Sequence, residues 1–285
     1  MRRRIISKHN TYKGLPCIKT VFYIPVANTT RDIFHQLYTH SDDIEEIFVN
    51  GQPIKSTQKL IGGYAYTFTN NGNYNVEYYF KKNTTNLSQL FKEVNALKSV
   101  VFYDWKNTEV TNISNMFNFN KGVQTIDFND FNFKKITSAD SLINMYNESN
   151  KTYLTSSLTL IKFNLNSKTE NFQHPMNMFR GCTQIKSIDM TNFDLKSGLF
   201  GLTDGGVNQF VNRMFDNCTE LESVYIYSSA PIQGVRVTDN MFSSTTPGKL
   251  YCLIKSEEDK NNYSVFQTAS DLGKLGNWEI VYIKK

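Results

Sequence analysis

Asn177-Met-Phe-Arg-Gly-Cys-Thr-Gln-Ile-Lys-Ser-Ile-Asp-Met-Thr-Asn-Phe193 decides the fold, because its apolar positions recur along the chain at the same distances. Ile185, Ile188, Met190 and Phe193 lie 6, 9, 11 and 14 residues after Phe179, and the same offsets from Phe117 give Val123, Ile126, Phe128 and Phe131. From Phe91 they give Leu97, Val100, Phe102 and Trp105; from Phe215 they give Leu221, Val224 and Ile226 before the pattern breaks at Ser229. A unit this short cannot bury its own apolar face and must stack on neighbouring copies. The recurrence therefore predicts a solenoid.

The leading residues of the units read as Leu90, Met116, Met145, Met178, Met214 and Met241, at intervals of 26, 29, 33, 36 and 27 residues. The shortest interval is the basic unit; the longer ones carry insertions, which a solenoid places in surface loops. One insertion follows Met145-Tyr146, and another is the glycine-rich stretch Gly198 to Gly206. Within a unit, Val110, Ile113, Met116 and Phe117 fall at helical spacing after Glu109, with Thr111 as a start signal, and predict about two turns of helix. The following Val123-x-x-Ile126-x-Phe128 alternates with period two and predicts a short strand. Each coil is then helix, turn and strand. Successive strands are expected to lie parallel in one sheet, about 4.8 Å apart.

The flanking segments have another character. Residues 1–19 read as an irregular basic arm, broken by Gly14 and Pro16. Residues 20–82 read as a small antiparallel β domain: a strand from Thr20, a short helix over Thr30 to Tyr38, a strand from Ile44, and a hairpin of Tyr64–Thr69 with Tyr74–Phe80 across Asn70-Asn71-Gly72. The solenoid occupies 87–254. Residues 255–285 read as a cap, with a capping box opening a helix at Ser256, Gly273 ending it, and a final strand from Trp278.

Composition agrees with a β-rich fold. Of 285 residues, 40% are hydrophobic and 14% aromatic, enough for a large core, and the net charge is only +5. Basic residues are scattered apart from Arg2, Arg3 and Arg4, so no stripe for nucleic acid is present. The four cysteines, Cys17, Cys182, Cys218 and Cys252, lack CxxC spacing. Cys182 and Cys218 stand three residues after a repeat phenylalanine, where Asn120 stands in an earlier unit, which predicts small buried residues on the inner turn; a disulfide between coils is the other reading. Met1 to His9 holds only two isoleucines, too few for a secretory signal, and no window reaches the roughly 20 apolar residues of a membrane-spanning helix.

Asp104-Trp-Lys-Asn-Thr-Glu-Val-Thr-Asn-Ile-Ser-Asn-Met-Phe117, the stretch from Asn177 to Phe193, and Asn212-Arg-Met-Phe-Asp-Asn-Cys-Thr-Glu-Leu-Glu-Ser-Val224 together resemble the repeat of the BspA-like (Mycoplasma-lipoprotein-type) leucine-rich repeat family. The resemblance covers about residues 87–254. It implies a leucine-rich-repeat solenoid with short helices and a parallel sheet, and a role in adhesion or host interaction at a bacterial surface. It carries no catalytic residues across. Family members usually begin with a signal or lipoprotein peptide, and this chain does not show one. Similar repeats fused to small β modules also suit bacteriophage accessory proteins.

No catalytic constellation is legible. His9, His35, His40 and His174 are dispersed, Asp189 and Asp194 sit in repeat context, and the Gly198 to Gly206 loop lacks the Gly-Lys-Ser and strand-helix frame of a phosphate loop. No metal ligand set and no cofactor are expected. Function falls to the surface. If Ile126 and Phe128 point inward, alternation turns Asp127 and Asn129 outward, and by the same rule Val101 and Tyr103, Lys162, Asp189, and Tyr225 and Tyr227. These eight form the candidate interaction face; Arg2, Arg3, Arg4 and Lys8 form a candidate assembly arm. The expected function is non-enzymatic recognition of a protein partner within an assembly, such as a bacteriophage virion, or on a host surface. A bacterial adhesin and a carbohydrate-binding module are the alternatives.

Overall fold

A computed structural model describes residues 11–170, 172, 176–195, 213–232, 241–242, 245–271 and 275–284. Six strands come first: β1 (Cys17–Ile24), β2 (Thr29–Asp32), β3 (Ile44–Val49), β4 (Gln52–Pro53), β5 (Ala65–Phe68) and β6 (Gly72–Phe80). The repeats supply β7 (Leu97–Tyr103), β8 (Thr125–Asp127), a small hairpin of β9 (Tyr146–Asn147) and β10 (Thr152–Tyr153), β11 (Leu160–Lys162), β12 (Ser187–Asp194), β13 (Ser223–Tyr227) and β14 (Lys249–Ile254). Helix α1 (Ser264–Asp271) and β15 (Glu279–Lys284) close the described chain. The result is β-rich, with a parallel β-solenoid of about 5 turns.

Strand β1 joins the two parts. It runs antiparallel to β6 on one side and to β7 on the other, so the order β11-β8-β7-β1-β6-β3-β4 is one seven-stranded sheet. The sheet turns parallel at β7, where Val100, Ile126 and Ile161 share a register position. Among the described residues a large buried cluster runs from Ile18 to Trp278, and a small one holds Cys17, Phe48 and Tyr79. The predicted hairpin does not form: β5 pairs with β2, and the Tyr74 hydroxyl closes the intervening turn on the N–H and carbonyl of Asn70. Residues 29–32 are correspondingly a strand rather than the start of a helix.

The predicted helix in each coil is a ladder of turns. In an α-helix every N–H returns to its own strand of helix, four residues back. Here the N–H groups of Gln89, Phe91 and Glu93 cross to the carbonyls of Ser114, Met116 and Asn118 on the next coil, at 2.9–3.0 Å. Between them Leu90, Lys92 and Val94 close three-residue turns on their own coil. The next coil repeats this, with Asn115, Phe117 and Phe119 donating to Asp140, Leu142 and Asn144. Two positions of the ladder take positive φ in a coil: Asn115 (57°) and Phe119 (56°), Asn177 (54°) and Gly181 (81°), Arg213 (54°) and Asn217 (59°). Asparagine and glycine adopt this region at least cost.

This ladder fixes the phase of the units. Phe91, Phe117, Ile143, Phe179 and Phe215 donate to Met116, Leu142, Met178, Met214 and Met241 in turn. The third unit therefore leads with Leu142, not Met145, and the intervals are 26, 26, 36, 36 and 27. Tyr146 belongs to the β9–β10 hairpin inserted after Met145. Phenylalanines at the shared position stack, Phe179 on Phe215 at 5.7 Å and Phe215 on Phe242 at 5.3 Å.

The cysteine expectation is met. All four are buried free thiols. Cys182 and Cys218 donate to the carbonyls of Ile143 (3.5 Å) and Phe179 (3.0 Å) on the preceding coil, as the Asn120 amide does to Phe91 (3.0 Å). The capping box at Ser256 and Asp259 is also present, opening a short 3-10 turn that runs into α1. Gly273, the predicted helix end, lies outside the described residues.

The coil strands form two sheets instead of one. β12-β13-β14-β15 is a separate parallel sheet, and β11 does not pair with β12. The connection after β11 takes an edge bond of β12, with the Thr169 N–H donating to the Asn192 carbonyl at 2.8 Å. Within β12 the four residues 190–193 lie against Ile226 alone, since Asp189 pairs with Tyr225 and Asp194 with Tyr227. Such a bulge bends its strand away from regular pairing.

Candidate functional site

Alternation places Val100, Ile126, Ile161, Ile188, Val224 and Leu250 in the core, each at most 5% exposed. Their neighbours make the outer faces of the two sheets, and the registers assign who stands beside whom.

Across the first sheet one row reads Glu77, Lys19, Val101, Asp127, Lys162. It is a row of paired charges: Lys19 lies 3.6 Å from Glu77, Lys162 lies 3.9 Å from Asp127, and the Lys19 ammonium sits 5.5 Å from the centre of the Tyr103 ring. The Asn129 N–H donates to Asp127 at 2.8 Å, which curls the chain at the end of β8. Tyr12 and Leu15 cover the far end of the face, packing on Cys17, Phe48 and Tyr79. Burial there pushes the Cys17 thiol up to about 12.

The second sheet has a different outer face. Its central row is Asp189, Tyr225, Tyr251, Val281; on one side lie Ser187, Ser223, Lys249 and Glu279, and on the other Tyr227, Leu253 and Ile283. Tyr225 and Tyr251 stack at 4.5 Å with 12° between planes. Tyr225, Tyr251, Leu253, Val281 and Ile283 are all half-buried, so they form a continuous aromatic and aliphatic patch still reached by solvent. One margin is polar. Ser223 donates to Ser187 at 2.8 Å, and Lys249 lies 3.6 Å from Glu279. Asp189 is held by the N–H and hydroxyl of Thr191, at 3.0 and 2.8 Å.

The structure thus divides the eight candidate face residues. Val101, Tyr103, Asp127, Asn129 and Lys162 stand on the first sheet and Asp189, Tyr225 and Tyr227 on the second. Tyr227 is a correction: only 9% exposed, it is closed over by the Lys168 ammonium, 3.4 Å from its ring centre. Sequence reading missed Tyr251, Leu253, Val281 and Ile283. The strands around Leu250 and Ile280 were legible, and the same alternation rule applied to them gives all four. Arg2, Arg3, Arg4 and Lys8 lie outside the described residues, as do His174 and the Gly198–Gly206 loop.

Among the described residues, no three His, Cys, Asp or Glu side chains converge as metal ligands would, and no helix is long and apolar enough to cross a membrane. The family models searched, the curated proteins and the solved structures gave no match to this chain.

Proposed function

We propose that the protein is a non-enzymatic recognition component that docks a protein partner on the outer face of its second sheet. The observation that carries this reading is the patch of Tyr225, Tyr251, Leu253, Val281 and Ile283, bordered by Ser187, Ser223, Lys249 and Glu279. Protein interfaces have this anatomy, an aromatic and aliphatic centre with a polar rim, and tyrosine is among the residues that contribute most to affinity. The side chains stand on a hydrogen-bonded parallel ladder, so little order has to be imposed when a partner binds.

Stacking also favours protein over glycan as the ligand. Each of the two rings covers one face of the other. A sugar ring is recognised by stacking on an open aromatic face, and this contact takes one face of each ring away. The setting that fits is a larger assembly, such as a bacteriophage virion or its appendages, and membership of the BspA-like repeat family belongs to the same proposal. Co-sedimentation with purified particles tests it: Y225A/Y251A is expected to stay in the supernatant where the unaltered protein pellets. Equal pelleting of both would remove the face from the proposal.

A further inference from the structure

A recess lies in the N-terminal part of the chain, away from both outer faces. Its volume is about 350 Å³, and its floor is Phe34, Ile44 and Ile47, each at most 3% exposed, with half-buried Leu60 at the side. Small-molecule pockets start at about 300 Å³ and combine an apolar body with a few fixed polar groups. The polar residues that line it are Ser41, Asp42, Lys55 and Gln58.

Lys55 is fixed from both ends. Its N–H donates to the Glu46 carboxylate at 2.8 Å, together with the N–H groups of Ile47 and Ser56, and Glu46 is only 1% exposed. Its ammonium donates to the carbonyls of Ser41 (3.1 Å) and Ile44. An ammonium has three N–H donors, so one is left over. Burial lowers the affinity of Lys55 for its proton, and of the charges around it Asp42 opposes that most. Yet among the described residues no ion pair within 4 Å joins Lys55 to Asp42, although both line the recess. Two opposite charges on one cavity rim that are not paired with each other are complementary to a head group carrying both signs.

We infer that this recess binds a free α-amino acid with an apolar side chain, the side chain lying on Phe34, Ile44, Ile47 and Leu60, the α-carboxylate on Lys55 and the α-ammonium on Asp42. The ligand needs both charges on one carbon, so the blocked ends of a peptide do not qualify. This site is independent of the sheet face proposed above.

Calorimetric titration of the full chain with L-phenylalanine and L-leucine tests the assignment. Saturable one-to-one binding is expected for at least one of them. N-acetyl-L-phenylalanine and L-phenylalaninamide, each missing one charge, are expected to bind at least about tenfold more weakly. D42N, at an exposed position, is expected to lower affinity for the free amino acid and leave that for the N-acetyl analogue unchanged; K55Q is expected to lower affinity for the free amino acid and leave that for the amide unchanged. Absence of binding by both amino acids, equal binding of the blocked analogues, or an unchanged affinity in D42N would overturn the inference.

Discussion

The strands of the two sheets place their stacked aromatic rings on opposite sides. Under the first, Phe102, Phe128 and Phe163 stack at 4.7 and 5.3 Å, and Trp105, Phe131 and Phe133 close around them, while the outer face is a row of paired charges. Under the second the inward positions of β13 and β14 are Val224, Ile226, Leu250 and Cys252, and the stacked tyrosines face out. Both halves use the same parallel ladder. An aromatic ring turned inward stabilises the coil by burial, whereas one turned outward adds little to folding and is left for a partner.

The largest difference should appear in stability. F128A is expected to cost about 3–5 kcal/mol, read from urea unfolding, because it empties the centre of the phenylalanine stack. Y251A should cost far less, and a comparable loss would break the comparison. Binding should show the reverse. Y225A/Y251A is expected to weaken partner binding by about 2 kcal/mol or more, the level of an interface anchor. D127A/K162A, which removes an exposed ion pair from the first sheet, should change it by less than about 1 kcal/mol.

A smaller effect sits where the sheets part. Asn192 is fully buried, and neither atom of its side-chain amide has a hydrogen-bond partner. N192L is expected to raise stability by about 1 kcal/mol, since it removes an unsatisfied polar group and keeps the carbonyl that accepts the Thr169 N–H. The smallest effect concerns thiols. Burial pushes Cys17 and Cys218 up to about 12, so the folded state holds its thiol protons more tightly than the unfolded state, whose thiols titrate near about 8.5. Their contribution is complete below about pH 8.5 and is lost as pH rises toward 12. C218A should therefore show a flatter decline of the urea midpoint between pH 8 and 10. The pair Y12A/L15A should expose Cys17 alone to a thiol reagent, because those two side chains cover only the first sheet.

Much of this was legible in the chain. The offsets after each Met-Phe pair gave the strands and their inward residues, and Val123, Ile126, Phe128 and Phe131 are all fully buried. The helices were misread because apolar residues three and four apart suit a turn ladder as well as a helix. What separates the two is the destination of the N–H groups, and the only local trace is Asn115, Asn177, Gly181 and Asn217 recurring at the positive-φ positions. The third unit slipped because Leu142-Ile143 does the work of Met-Phe, while its insertion begins with a chemically similar Met145-Tyr146. The patch was half legible: alternation gave Tyr225 and, extended to the last strands, Tyr251 and Val281. The covering of Tyr227 was not, since Lys168 comes from a different coil.

Site-specific photo-cross-linking compares the two faces most directly. A benzophenone side chain is placed at Val281 on the second sheet or at Val101 on the first, both half-buried and outward, and each protein is irradiated with the particle or surface fraction it copurifies with. An adduct of defined mass is expected from position 281 and none from position 101. An adduct from 101 alone, or equal yields from both, would contradict the proposal.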